Sequence, residues 1–197
     1  MNIHFEKEEY FDHEYNGTLT NERCVEIPLA LRYADEIGFN NLIEIGAVLP
    51  YYGKDSHLVY DPFDEHPSSK KEFAENLDVK DKNVLSISTL EHMGGAHGYG
   101  RHYRCDEPDK SFDFIKKLNL EAKSFLVTLP IGQHLALDQS LRQNLSGFNW
   151  FGYVKTNQTP PRWGLTINPE ELFSKKYADP FQCANGCIFL YKGIKCS

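Results

Sequence analysis

Three histidines spaced five apart, His92, His97 and His102, fall within the stretch EHMGGAHGYGRHYRCD at residues 91–106. The same stretch holds four glycines together with Tyr99, Arg101, Tyr103 and Arg104. A neutral imidazole can take a proton from a hydroxyl near physiological pH. Guanidinium forks bind anions through paired hydrogen bonds. The chemistry this composition suits is a loop carrying a base (His92, His97 or His102) and an anion- or sugar-binding lip of Tyr99, Arg101 and Arg104. The plainer alternative is a surface loop of solvated charges, with His92 capping a helix. A five-residue histidine spacing matches no standard zinc pattern and no cysteine pair completes one, so no metal site is expected.

A second group joins Glu44, Gly46 and Asp61. A short apolar run at residues 42–45 breaks at Gly46, and a second at residues 58–60 ends on Asp61. Gly46 lets the backbone turn close to a ligand, and the Asp61 carboxylate can accept hydrogen bonds from a ribose diol. A pyrophosphate site wants G-x-G-x-x-G opening a helix. Here the run is Gly46-Ala47-Val48-Leu49-Pro50-Tyr51, with Val48 in place of the second glycine and a poor helix after it. An adenosine ligand without phosphates tolerates both departures, and S-adenosylmethionine is such a ligand.

Other groups read two ways. His134 and Asp138, four apart after Gly132, either face a pocket from one helix side or form a surface pair. Arg162-Trp163 is a ligand-stacking pair or a hydrophobic plug under a turn. Cys183 and Cys187 are half a metal site or, more simply, part of a buried strand and its approach.

The elements that must position these groups alternate. Residues 1–20 form an acidic, aromatic arm that packs over something or stays partly disordered. A helix runs from Thr20 toward Glu36 with Val25, Leu29, Tyr33 and Ile37 on one face, Pro28 predicting a kink or restart and Gly38 a stop. Ser69-Lys70-Lys71-Glu72 has the spacing of a capping box opening a short helix to about Asn76; alternatively residues 73–77 are a strand. Strands are expected at 84–88, 124–129, 148–155 and 186–191, and helices through Phe112, Ile115 and Leu118, at 135–141 and at 169–176. That alternation predicts an α/β fold with a doubly wound, mostly parallel sheet.

At 197 residues the chain reads as one domain, 1–197, able to bury a sizeable core. A net charge of −7 disfavours a nucleic-acid partner. No apolar run is long enough for a membrane span, and Met1-Asn2-Ile3-His4-Phe5-Glu6 does not read as a signal peptide. The 5 cysteines are scattered without a C-x-x-C, which predicts reduced thiols and a cytoplasmic location.

The chain resembles the small class I S-adenosylmethionine-dependent methyltransferases, closest to compact bacterial ones similar to enzymes of sugar and surface-glycan modification. The resemblance rests on Asn21-Glu22-Arg23-Cys24-Val25-Glu26-Ile27-Pro28, Ile43-Glu44-Ile45-Gly46, Val59-Tyr60-Asp61, Ser86-Ile87-Ser88-Thr89-Leu90-Glu91-His92 and Thr128-Leu129-Pro130-Ile131-Gly132. It implies a seven-stranded Rossmann-like sheet with an antiparallel last strand. It also implies an S-adenosyl-L-methionine site at Glu44, Gly46, Asp61, Ser88, Thr89, Leu90 and Glu91. The activity implied is methyl transfer, by O-methylation, to a small-molecule or sugar/glycan-precursor acceptor, as in polysaccharide biosynthesis. His92, His97 and His102 then stand as catalytic candidates and Tyr99, Arg101, Arg104, His134 and Trp163 as acceptor contacts. Val48 and the abbreviated first crossover depart from the family pattern. A homodimer is left open. So are two other readings: a nicotinamide-dependent oxidoreductase, and a catalytically silent subunit of the same fold that binds a partner.

Overall fold

The computed structural model describes residues 2–3, 13, 21–94, 107, 109–156, 162–179, 183–193 and 195–196. In chain order its strands and α-helices are β1 (Asn2–Ile3), α1 (Arg23–Ile37), β2 (Leu42–Ile45), β3 (Leu58–Tyr60), β4 (Ser69–Lys70), β5 (Asn83–Ile87), α2 (Lys110–Glu121), β6 (Ser124–Pro130), α3 (Leu135–Asn144), β7 (Asn149–Lys155), β8 (Trp163–Thr166), α4 (Pro169–Phe173), β9 (Gly186–Lys192) and β10 (Lys195–Cys196). Eight of these strands make one sheet in the order β4-β3-β2-β5-β6-β9-β7-β8, while β1 and β10 pair separately.

From β4 to β6 every pairing is parallel; from β6 through β9 and β7 to β8 every pairing is antiparallel. The parallel half is consistent with a Rossmann-like order, its strands lying third, second, first, fourth and fifth along the chain. An antiparallel strand late in the chain is present as expected: β9 inserts between β6 and β7. The expected seven strands are corrected to eight among the described residues. The additional one is β8, whose Trp163 pairs with Lys155 and Leu165 with Tyr153 where only a turn above Trp163 was expected.

Side-chain alternation explains why helices cover both faces. Ile43, Ile45, Val84, Phe125, Val127, Leu129, Ile188 and Leu190 pack with α2, α3 and α4 through Ile115, Leu118, Leu137, Leu141 and Leu172. The intervening Leu42, Leu85, Ile87, Leu126, Cys187 and Phe189 pack with α1 through Val25, Leu29, Ala30 and Tyr33. A one-residue slip would exchange the two sets, so the register is firmly specified. Truncating a core member such as Leu126 or Ile188 to alanine would cost about 2–5 kcal/mol.

Two local expectations are corrected. α1 is one helix of 15 residues that does not restart at Pro28, and Gly38 at φ 81° ends it as expected. The capping-box segment is not a helix: Ser69 and Lys70 form β4 against Val59 and Tyr60, and only a 3₁₀ turn, Ala74–Asn76, follows. The Asp64 carboxylate accepts the Ser69 hydroxyl, which holds Ser69 in the strand edge instead of capping a helix. The short first crossover also contains no α-helix, only the 3₁₀ turn Leu49–Tyr52. Among the described residues, no helix is long and apolar enough to cross a membrane.

Candidate functional site

The order of the sheet reverses between β2 and β5, whose carboxyl ends therefore frame the crevice where open α/β sheets bind ligands. The Ser86 hydroxyl donates to the Ile45 carbonyl at 2.9 Å and ties the two strands there. Gly46 follows at φ +87°, and its amide donates to the Tyr60 carbonyl at 2.9 Å. A Cβ at Gly46 would lie 2.0 Å from Thr89 Oγ1, so the turn after β2 touches the turn after β5. Glycine is demanded there twice, by backbone angle and by that contact.

Asp61 joins the same crevice from the end of β3. Its Oδ1 accepts the amides of Phe63 at 2.8 Å and Asp64 at 2.9 Å, and its Oδ2 accepts Ala47 N at 3.3 Å. The carboxylate thus braces two turns, while the long third bond leaves Oδ2 with capacity to accept a ligand hydroxyl.

Glu44 serves the chain itself. Its Oε1 accepts the amides of Val48 at 3.0 Å and Leu49 at 2.8 Å, and its Oε2 lies 2.6 Å from His57 Nε2. Val48 is buried in the cluster that also holds Leu49 and the inner face of α1. The amides that would cradle a phosphate in a glycine-rich turn are therefore occupied by an internal carboxylate.

Residues 88–92 follow β5. Ser88 sits at φ +39°, a conformation a non-glycine residue holds only when its surroundings impose it. Its amide donates to the Thr128 carbonyl at 3.0 Å and its hydroxyl to Glu26 Oε1 at 2.6 Å. Leu90 is fully buried in the core, so it anchors the turn from beneath. Glu91 is 2% exposed, and burial pushes its carboxyl well above the usual range. His92 is pulled down to about 4, first by burial, then by Arg23 and His134, with Asp61 opposing. Its Nε2 lies 3.7 Å from Glu91 Oε1.

The functional reading of the sequence passed over the amino end of α1. Arg23 Nη1 donates to the Ile87 carbonyl at 3.0 Å and lies 3.8 Å from Glu26 Oε2. Burial would lower this guanidinium, but Glu26, Glu22 and Glu91 outweigh it and raise it. Glu26, wholly buried, is itself raised by burial, against the pull of Arg23. Glu22 Oε2, Glu26 Oε2 and Glu91 Oε2 are all buried without a hydrogen-bond partner. The one signal in the sequence was an acid, Glu26, amid a helix segment otherwise apolar and inward-facing.

Of the remaining candidates, His134 caps α3, its Nδ1 accepting Leu137 N at 2.9 Å, and burial lowers its ring. It lies near enough to affect His92. Asp138 turns back to accept Gly132 N at 2.7 Å, so the two do not simply share one pocket-facing side. Trp163 is 0% exposed with Lys155 Nζ 4.9 Å from its ring centroid, an arrangement that favours the hydrophobic plug. His97, His102, Tyr99, Arg101 and Arg104 lie outside the described residues. Among the described residues no three His, Cys, Asp or Glu side chains form a metal-binding group. A cavity of ≈ 700 Å³ opens at the opposite, amino end of the strands, lined by Asn41, Asn83 and Ser124 among others, and shares none of the crevice residues. No family model matches the chain, and no curated protein matches it.

Proposed function

We propose that the protein is an S-adenosylmethionine-dependent methyltransferase acting on a hydroxyl of a small-molecule or sugar acceptor. One arrangement carries this reading: at the reversal of the sheet, Asp61 keeps an oxygen available for a ribose while Glu44 fills the place of a phosphate. A nucleoside ligand without phosphates suits such a crevice. A pyrophosphate would face the Glu44 carboxylate across amides that already have a partner, which argues against a nicotinamide dinucleotide.

The residues fit the cofactor on those grounds. Asp61 would hold the ribose, with Gly46 and Thr89 shaping the floor of the crevice. S-adenosylmethionine supplies an electrophilic methyl group on a sulfonium when bound, so the chain's own work is to orient the acceptor and take up its proton. His92, held neutral by burial and by Arg23 and His134, accepts the hydrogen bond of the acceptor hydroxyl on its imidazole. As a base it is weak, yet always in the accepting form at neutral pH.

Incubation with methyl-labelled S-adenosylmethionine and a panel of sugars and sugar nucleotides tests the assignment. The expected result is label in a sugar, reduced roughly 10²–10⁴-fold in His92→Ala with cofactor affinity little changed. Equal transfer by the variant would remove His92 from the chemistry.

A further inference from the structure

Lys155, the last residue of β7, meets Cys183, which lies shortly before β9. Its Nζ donates to Cys183 Sγ at 3.0 Å. That is the usual separation of an N–H···O bond, although sulfur is the larger atom. Lys155 is only 4% exposed, whereas Cys183 is half-buried and so open to small molecules.

Both partners are held in place. The Lys155 amide donates to the Asn185 carbonyl at 2.9 Å. The Cys183 carbonyl accepts the Ala178 amide at 3.1 Å and Asn185 Nδ2 at 3.1 Å. Trp163 of β8 positions the ammonium, with its ring centroid 4.9 Å from Nζ. The contact is therefore built by β7, β8 and the approach to β9, and is no chance meeting of two mobile side chains. Such fixed proximity favours reaction between the two groups. The other described thiols differ. Cys24 and Cys187 are fully buried, and burial pushes Cys24 up to about 12 and Cys187 well above the usual thiol range, so neither is an apt nucleophile.

We propose that Cys183 is a redox site, where a hydroperoxide oxidises the sulfur and the Lys155 nitrogen captures it as a reversible S–N cross-link. The site is independent of the methyltransferase reading. In the first step the sulfur attacks one peroxide oxygen, so an S–O bond forms and the O–O bond breaks. The sulfur is oxidised to a sulfenic acid and the peroxide is reduced, its departing oxygen leaving with the thiol proton as water or an alcohol. In the second step the Lys155 ammonium gives a proton to solvent and its nitrogen attacks the sulfur. The S–N bond forms, the S–O bond breaks, and the hydroxyl leaves with a nitrogen proton as water. An external thiol reverses the link by attacking the sulfur and releasing the amine, and a second thiol then frees Cys183 as a disulfide forms.

Hydrogen peroxide treatment of the full chain, followed by non-reducing peptide mapping by mass spectrometry, tests the site. The expected product joins the peptides of Lys155 and Cys183 and is two hydrogens lighter than their sum. Dithiothreitol should return both peptides unmodified. Cys183→Ser should form no link, and Lys155→Arg should stop at a sulfenic acid on Cys183 that dimedone traps. The wild-type map and Cys183→Ser decide the matter if Lys155→Arg does not fold, because Lys155 is buried. Recovery of Cys183 as a free thiol or as an unlinked acid in the wild-type chain overturns the proposal. So does a disulfide from Cys183 to another cysteine, or a link to Lys155 of any other mass.

Discussion

Glu44 Oε2 lies 2.6 Å from His57 Nε2, and neither side chain is exposed. The other oxygen of the same carboxylate holds the amides of Val48 and Leu49, so one acid gathers two backbone donors and an imidazole around the turn after β2. Removing it would leave those donors buried without partners. Glu44→Ala is expected to cost about 3–5 kcal/mol, the range for breaking a buried pair. Urea unfolding of wild type and variant measures the loss, and a cost below about 1 kcal/mol, that of one ordinary hydrogen bond, would show that the turn does not depend on Glu44.

Gly46 sets the contact between the two turns of the crevice. Gly46→Ala meets both the φ of +87° and a Cβ only 2.0 Å from Thr89 Oγ1. Left-handed strain of about 1–2 kcal/mol and overpacking of about 1–3 kcal/mol should add. In the Thr89→Gly background the same substitution should cost only the strain. A double-mutant cycle reads the difference, and an unchanged cost would mean that Thr89 yields freely.

How much of this was legible in the sequence depended on range. β2, β3, β5 and β6 announced themselves as short apolar runs, and Gly46 and Asp61 were found at strand ends, where ligands bind. β4 was hidden because Ser69 and Lys70 are polar and owe their extended form to pairing with Val59 and Tyr60. β8 was hidden by the prolines ahead of Trp163. The role of Glu26 was invisible for a different reason: its partner Ser88 is 62 residues away, and nothing local marks the meeting. Glu44 was found, but its work for the chain could not be read, because His57 belongs to the far side of the first crossover.

The His92 environment makes a pH prediction. Its ring is pulled from 6.5 down to about 4 in the folded protein. Between those values the unfolded chain binds more protons than the folded one. The stability of the neutral ring is therefore complete above about 6.5 and is lost as the pH falls toward about 4. His92→Gln should flatten that part of the acid limb in thermal unfolding profiles. In wild type, the His92 ring protons should titrate by NMR with a midpoint near 4; a midpoint near the ordinary 6.5 would place the ring in water.

The most direct measurement is calorimetric titration with S-adenosylhomocysteine and with NAD, on wild type and on Asp61→Asn. The amide side chain of that variant would keep one oxygen for the Phe63 and Asp64 backbone N–H groups, so the fold should survive. The account predicts saturable binding of S-adenosylhomocysteine and none of NAD. In Asp61→Asn the affinity should be weaker by about 1.5–3 kcal/mol, the worth of a hydrogen bond to a charged group. Binding of NAD, silence toward both ligands, or full affinity in a folded Asp61→Asn protein would contradict it.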